Sequence, residues 1–315
     1  MGKMQAVVID PKAPACLSLG EVEEPEPAPS EALVRVSAIS LNRGEVRRSQ
    51  EAEAGFRPGW DLAGTVGQAA ADGTGPREGA RVVGLLSSGA WAERAAVPTD
   101  SLAELPEGVS FEQAAALPVA GLTALYGLEK GGGLVGKSVL VTGASGGVGL
   151  FALELARLAG ARAVALVRRE EHIRLVEEAG AHEVAIGEGA GAASVLGPFD
   201  LIMESVGGAV LGEALRMLAP GGMCVAFGVS GGTEATFDVQ SFYFTGGASL
   251  YGFILFHEVI AKPASEGLGR LARLVAEGRL SPRISVEAFW AEVGDVAQRL
   301  LDRGYQGKAV LRVEG

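Results

Sequence analysis

The segment Thr142-Gly143-Ala144-Ser145-Gly146-Gly147-Val148-Gly149 restricts the possible folds of this chain more than any other. It follows an apolar strand, Val139-Leu140-Val141, and opens an amphipathic helix over residues 149–159. Glycines in such a strand-to-helix turn let the backbone bend sharply and approach a pyrophosphate closely. The free N–H groups and positive end of the helix can then hold the anion. Ser145, Gly146, Gly147 and Val148 are the residues expected to face it. A glycine-rich turn can also serve packing alone. Here the strand before it, the helix after it and a second strand over 162–167 supply the context of a dinucleotide site.

The pattern around this loop is a steady alternation. Strands are expected over 138–142, 162–167, 183–186, 201–204 and 222–227, with helices over 149–159, 170–179 and 210–218 between them. Strands alternating with helices imply a doubly wound parallel sheet with right-handed crossovers. The second strand ends in Arg168 and Arg169. A site for NAD usually places an acid here to accept the ribose hydroxyls. Two arginines would instead pair with a 2′-phosphate, which favours NADPH. The alternative is that they merely begin an exposed helix, with Glu170 and Glu171 as counter-charges.

The first hundred residues read differently. Short apolar, β-branched runs at 5–9, 32–38, 64–68, 81–86 and 92–97 are separated by turn residues such as Asp72-Gly73-Thr74-Gly75-Pro76. Residues 21–29, rich in Glu and Pro, read as an extended loop. Regularly punctuated short strands suggest a barrel-like β unit. Helices are expected over 111–117 and 121–129, then near 268–277 and 293–302, and a last strand over 309–313. That strand is expected to pair back onto the first unit. At 315 residues, two domains are the natural expectation.

Composition excludes several function classes. The formal net charge is −11 and no Lys/Arg run exceeds two residues, so a nucleic-acid binder is not expected. Cys16 and Cys224 are the only cysteines, too few for a disulfide framework. The N-terminus carries no signal-peptide pattern, and no apolar run approaches the length of a membrane span. A cytoplasmic protein with neither a membrane nor a nucleic-acid partner is expected.

The glycine loop also fits the short-chain dehydrogenase pattern TGxxxGxG, and Tyr126 and Lys130 fit its YxxxK pair. In that family the pair follows the loop, whereas here it precedes it. The short-chain reading also leaves the β-rich first hundred residues unexplained.

The chain resembles the medium-chain dehydrogenase/reductase superfamily, in particular its zinc-free quinone oxidoreductase-like branch. The likeness is carried by Ala38-Ile39-Ser40-Leu41-Asn42, by Pro58-Gly59-Trp60-Asp61-Leu62-Ala63-Gly64-Thr65-Val66 and by Gly79-Ala80-Arg81-Val82-Val83-Gly84. Gly89-Ala90-Trp91-Ala92-Glu93, the run from Ala115 to Ala124, the glycine loop and Gly307-Lys308-Ala309-Val310-Leu311 complete it. Together these cover essentially the whole chain in the right order. The resemblance implies an α/β protein with a discontinuous GroES-like β-rich catalytic domain, residues 1–115 and 255–315, and a Rossmann NADPH-binding domain, residues 116–254. It implies a cofactor cleft between them and a homodimer along the Rossmann sheet edge, near the apolar segment 248–256. That segment reads equally well as an ordinary buried strand.

Zinc members of the superfamily carry a catalytic Cys, a Gly-His-Glu motif and a four-cysteine lobe. Those positions read Leu41-Asn42-Arg43-Gly44-Glu45 and Gly59-Trp60-Asp61 here, with no cysteine cluster. His172, His182 and His257 are scattered, so no metal site is expected. Without a Lewis acid to lower an alcohol pKa, reduction of an already activated acceptor is the easier chemistry. By resemblance, Asn42 and Thr123 lie beside the nicotinamide and the substrate carbonyl, with Asn42 able to donate to a developing enolate oxygen. A turn residue and a helix residue bonded to its own backbone are the plainer readings of the two. Ser205 and Val206, then Gly228, Val229 and Ser230, match segments that close over the cofactor. Lys308 matches a lysine near the cofactor phosphate, although a surface lysine reads nearly as well.

Where many quinone oxidoreductases have an Asp and then a Tyr after the Asn, this chain has Glu45 and Arg47. Arg47 and Arg48 could attract an anionic substrate or be solvated surface charges. The expected activity is NADPH-dependent reduction of a small-molecule quinone or α,β-unsaturated carbonyl. The alternatives are reduction of an enoyl thioester of CoA or an acyl carrier, or a non-catalytic NADPH-binding role. A zinc alcohol dehydrogenase is a distant further reading.

Overall fold

The computed structural model describes residues 2–313. The chain divides into two compact units, Met1–Leu122 with Val259–Gly315, and Thr123–Glu258.

The first unit begins with β1 (Lys3–Ile9) and β2 (Leu17–Glu23), paired antiparallel with Gln5 opposite Glu21. Residues 21–23 are therefore strand rather than the start of a loop. An edge strand can point Glu21 and Glu23 at water while its backbone pairs with β1. Next come β3 (Glu31–Ser40), the short helix α1 (Arg43–Ser49), β4 (Asp61–Gln68), β5 (Arg81–Leu85), β6 (Arg94–Pro98), β7 (Leu102–Glu104) and α2 (Phe111–Ala115). Ser110 caps α2 by accepting from the Gln113 N–H at 3.1 Å.

Helix α3 (Pro118–Glu129) is apolar on every face, and all of Ala120–Leu128 is buried. A helix buried all round needs no amphipathic period. The second unit continues through β8 (Ser138–Val141), α4 (Gly147–Leu158), β9 (Arg162–Val167), α5 (Ile173–Glu178), β10 (Glu183–Ile186), β11 (Phe199–Glu204), α6 (Gly208–Leu215) and β12 (Leu218–Ala226). It closes with α7 (Val239–Phe244), β13 (Ser249–Gly252) and the start of α8 (Leu255–Ala261). Its six strands are all parallel, in the order β10-β9-β8-β11-β12-β13. Counted from β8, that is 3-2-1-4-5-6, the dinucleotide-binding order. The order reverses between β8 and β11, which puts the glycine loop at the switch point where such sheets bind ligands. Leu140, Val164, Phe199, Ile202 and Cys224 form part of the core on one side of this sheet.

The tail returns to the first unit through α9 (Ala264–Ala276), β14 (Ile284–Phe289), α10 (Val293–Leu301) and β15 (Lys308–Arg312). β15 lies antiparallel to β3, with Val310 opposite Ser40, and parallel to β14. The resulting sheet runs β14-β15-β3-β4-β5-β7, with β6 also on β3. Its core includes Ile39, Leu62, Trp91, Trp290 and Leu311. The β15–β3 pairing sets Lys308 beside the end of β3, where Asn42 follows. Among the described residues, no helix is long and apolar enough to cross a membrane.

Candidate functional site

In the second unit the glycine loop leaves β8 and enters α4 as the sequence predicts. Gly146 is the N-cap and provides no side-chain cap, so the first N–H groups of a twelve-residue helix are open. Gly149 lies one turn in, and a Cβ there would stand 2.6 Å from the Ala144 carbonyl and 2.7 Å from the Gly143 carbonyl. Only a bare Cα lets α4 seat this close to its own entry loop. Ser145, Gly146, Gly147 and Val148 are partly exposed around that open end.

Arg168 and Arg169 follow β9, the strand next to β8. Their side chains are about half exposed and reach only surface acids, Glu188 at 4.0 Å and Glu171 at 3.0 Å. Exposed ion pairs of this kind contribute little and exchange readily for a phosphate. His172 stands close enough to feel both arginines, though burial is the larger cause of its lowered pKa.

Ser205 and Val206 follow β11, and Gly228, Val229 and Ser230 follow β12. β11 adjoins β8 and β12 adjoins β11, all parallel, so all three loops leave the carboxyl end of the sheet. The Glu204 side chain lies at this end of the sheet. Fully buried, it accepts from the Val206 N–H at 2.8 Å, the Gly207 N–H at 3.0 Å and the Thr142 hydroxyl at 3.1 Å.

The first unit holds a second polar cluster. Asp61 and Lys308 are an ion pair at 3.2 Å, 0% and 3% exposed. The Asn42 amide donates to Asp61 Oδ2 at 2.7 Å and to Glu45 Oε1 at 2.9 Å, and its oxygen accepts from Lys308 Nζ at 2.7 Å. Lys308 also donates to the Leu41 carbonyl at 2.9 Å. Asp61 Oδ1 takes the Val119 N–H at 3.0 Å, tying β4 to the start of α3. Glu45 Oε1 accepts the Asn42 backbone N–H at 2.7 Å, while Glu45 Oε2 is buried without a partner.

One ammonium here faces two buried carboxyl groups. Burial pushes Asp61 upward, and Lys308 and the donors around it oppose this only in part. Burial, then the neighbouring Asp61, pushes Glu45 well above the usual carboxylate range. Of the two, Glu45 is the carboxyl pushed further toward its protonated form. A carboxyl group raised on folding binds more protons in the folded state than in the unfolded one. Its contribution weakens stability as pH rises from the unfolded value, about 4.3, up to its folded value. Glu45→Gln, which keeps the neutral shape, is expected to flatten the fall in thermal midpoint over that window. It should be at least as stable as the parent at pH 8. A uniform loss of stability at every pH would instead show that Glu45 is ionised in the folded protein.

Both amide hydrogens of Asn42 are engaged by carboxylates. Lys308 is turned inward with three acceptors around its three N–H bonds. Thr123 is buried in α3, in the other unit. The plain sequence signal for the cluster was Asp61 itself, a charged residue opening an apolar strand.

Two family models match the chain. One, described as the alcohol dehydrogenase GroES-like domain, covers residues 28–107, and the other, described as zinc-binding dehydrogenase, covers residues 147–268. A quinone oxidoreductase of Pongo abelii is 31% identical over 250 residues, covering 73% of this chain and 75% of that one. The chain is an oxidoreductase of the medium-chain dehydrogenase/reductase superfamily, in its quinone oxidoreductase-like branch. This oxidoreductase is also similar to an acryloyl-coenzyme A reductase of Metallosphaera sedula, 26% identical over 328 residues, 92% of this chain and 95% of that one. Among solved structures, a mycobacterial protein complexed with NADPH matches with a TM-score of 0.87 and 27% identity, over 98% of this chain and 99% of that one. Among the described residues, no group of three or more His, Cys, Asp or Glu is placed to hold a metal ion.

Proposed function

We propose that this oxidoreductase uses NADPH to reduce a quinone or an α,β-unsaturated carbonyl. The observation that carries the cofactor is the pairing of an open α4 N-terminus with Arg168 and Arg169 at the end of the adjacent strand. The first suits a pyrophosphate and the second a 2′-phosphate. A similar mycobacterial protein was solved with NADPH, which supports the choice. NADPH would supply the hydride, and a solvent proton completes the reduction of either acceptor. The chain's own task is to bind and orient the two reactants. In this reading Ser145 to Val148 face the pyrophosphate, while Ser205, Val206 and residues 228–230 close over the cofactor. Thr123 lies beside the nicotinamide. Asn42 shapes its surroundings as the hub of a fixed polar cluster rather than by donating to substrate.

The proposed reaction needs no metal. Asp61, in the Gly59-Trp60-Asp61 segment, is already engaged by Lys308, Asn42 and Val119. Initial rates of NADPH and NADH oxidation with a 1,4-quinone, a simple enone and crotonyl-CoA test the whole reading. A faster NADPH-dependent rate with the quinone or enone, unchanged by a chelator, is expected. NADPH binding without turnover of any acceptor would leave a binding-only role in its place.

Enoyl thioester reduction is the second reading, favoured by the similarity to an acryloyl-coenzyme A reductase and by the exposed Arg47 and Arg48. Arg48 stacks its guanidinium 5.6 Å from the Trp60 ring centroid, and Arg47 projects to solvent. Preferential saturation of crotonyl-CoA, weakened by Arg47→Ala, would move the assignment there. A homodimer along the outer edge of β13 belongs to the same proposal. It is checked by light scattering, where a monomer at working concentration would remove it.

A further inference from the structure

We propose that Glu204 is a positioning residue that locks the three cofactor loops of the second unit into one preformed body. The inference rests on the cofactor reading above and adds to it a residue outside the expected contact set. Glu204 closes β11 after the apolar run Leu201-Ile202-Met203, and no part of it is exposed. A buried carboxylate without donors would be costly or would take up a proton. This one collects donors from two loops. Val206 and Gly207, the residues leading into α6, give it their backbone N–H groups, and Thr142, at the end of β8, gives it a hydroxyl hydrogen.

Thr142 relays the connection. Its hydroxyl oxygen accepts the Ser205 N–H at 3.0 Å, and the Ser205 hydroxyl donates to the Thr142 carbonyl at 3.1 Å. The glycine loop, which starts at Thr142, is thereby stitched to the Ser205–Gly207 loop. The third loop joins through backbone. Gly231 N–H donates to the Val206 carbonyl at 2.6 Å, the Ser230 hydroxyl donates to the Ser205 carbonyl at 3.3 Å, and Gly207 bridges Gly232. Gly228 approaches so closely that a Cβ would collide with the Ser205 carbonyl. Glu204 thus stands at the root of a chain of contacts that ends on Gly228, Val229 and Ser230.

Glu204→Gln preserves size but replaces Oε2 with an NH2 that opposes the Gly207 N–H, while the amide oxygen can still accept from Val206 and Thr142. Hydrogen bonds to charged groups contribute about 1.5–3 kcal/mol each, so losing one corresponds to about tenfold or more in affinity if the loops must then be ordered by the ligand. The expected result is a tenfold or larger rise in Kd for NADPH and for NADH alike, read by nucleotide fluorescence. The ratio between the two should stay unchanged, because Arg168 and Arg169 are untouched. Amide hydrogen exchange at Val206 and Gly207 should quicken in the nucleotide-free protein, and Glu204→Asp should recover part of both effects. If Glu204→Gln fails to fold, Thr142→Val carries the test, since it removes the hydroxyl that bridges Glu204 to Ser205. Unchanged Kd together with unchanged exchange in the folded variant overturns the proposal. A parent protein that binds no nicotinamide nucleotide overturns the cofactor reading instead, and the exchange measurement still decides whether Glu204 holds the loops.

Discussion

Lys308→Ala is expected to cost about 3–5 kcal/mol of unfolding free energy, the range for removing one partner of a buried ion pair. Its ammonium contacts Asp61, Asn42 and the Leu41 carbonyl, and 3% of it is exposed. Without it, Asp61 keeps a buried charge with no cation beside it, and the Asn42 carbonyl loses its donor. The remaining escape is for Asp61 to take up a proton. A double variant separates charge from packing. Lys308→Met with Asp61→Asn removes both charges while filling nearly the same volume, so it should lose clearly less than Lys308→Ala alone. Chemical denaturation at pH 7 measures both. A cost below about 1 kcal/mol for Lys308→Ala would mean that the pair behaves like a surface salt bridge, for which the typical range is about 0–1 kcal/mol. The same experiment bears on Asn42. If the cluster fixes its amide, the Lys308 variants should also lower turnover without changing the NADPH-over-NADH preference, because Arg168 and Arg169 belong to the other unit.

The parallel-sheet unit was largely legible because its signals are local. The glycine loop, the apolar strands over 138–142 and 201–204 and the amphipathic helix after the loop each lie within a short window. The resemblance carried the discontinuous first unit, whose pairing of β15 with β3 joins residues some 270 positions apart. Helix α1 escaped because Arg43–Ser49 is short and largely polar, with only Glu45, Val46 and Ser49 buried. β14 escaped because Ile284–Phe289 carries no fully buried stripe beyond Val286. The polar clusters were least legible. Nothing in the neighbourhood of Asn42, Asp61 or Lys308 says that the three meet, and it is their meeting that occupies the Asn42 amide. Glu204 carried a faint signal, a single carboxylate ending the run Leu201-Ile202-Met203. An acid at the carboxyl end of a buried parallel strand needs donors, and in this fold the nearest donors are the ligand loops themselves.

Replacing Arg168 and Arg169 together by Ala is expected to reduce the NADPH-over-NADH preference in kcat/KM roughly a hundredfold. The estimate takes about 1.5 kcal/mol for each charge-assisted hydrogen bond to a phosphate, the low end of the range because both side chains are solvated, and tenfold per 1.4 kcal/mol. Their present partners do not oppose the exchange. Glu188 is 84% exposed and 4.0 Å away, and Glu171 is 64% exposed, so a 2′-phosphate with twice the charge of a carboxylate competes well for both guanidinium groups. NADH makes no use of that charge, so its kcat/KM should hold steady or rise slightly as the positive field is removed. Single variants should each lose part of the preference, and the Arg168 and Arg169 effects should not simply add, because adjacent groups on one phosphate are coupled. High salt should narrow the parent's preference toward that of the double variant, since exposed charges are screened within about 10 Å at 0.1 M. If the double variant keeps the parent preference, the 2′-phosphate is held elsewhere, and the residues ending β9 are only the charged start of an exposed helix. If NADPH and NADH suffer equally, the arginines support the fold of the loop and not the choice of nucleotide.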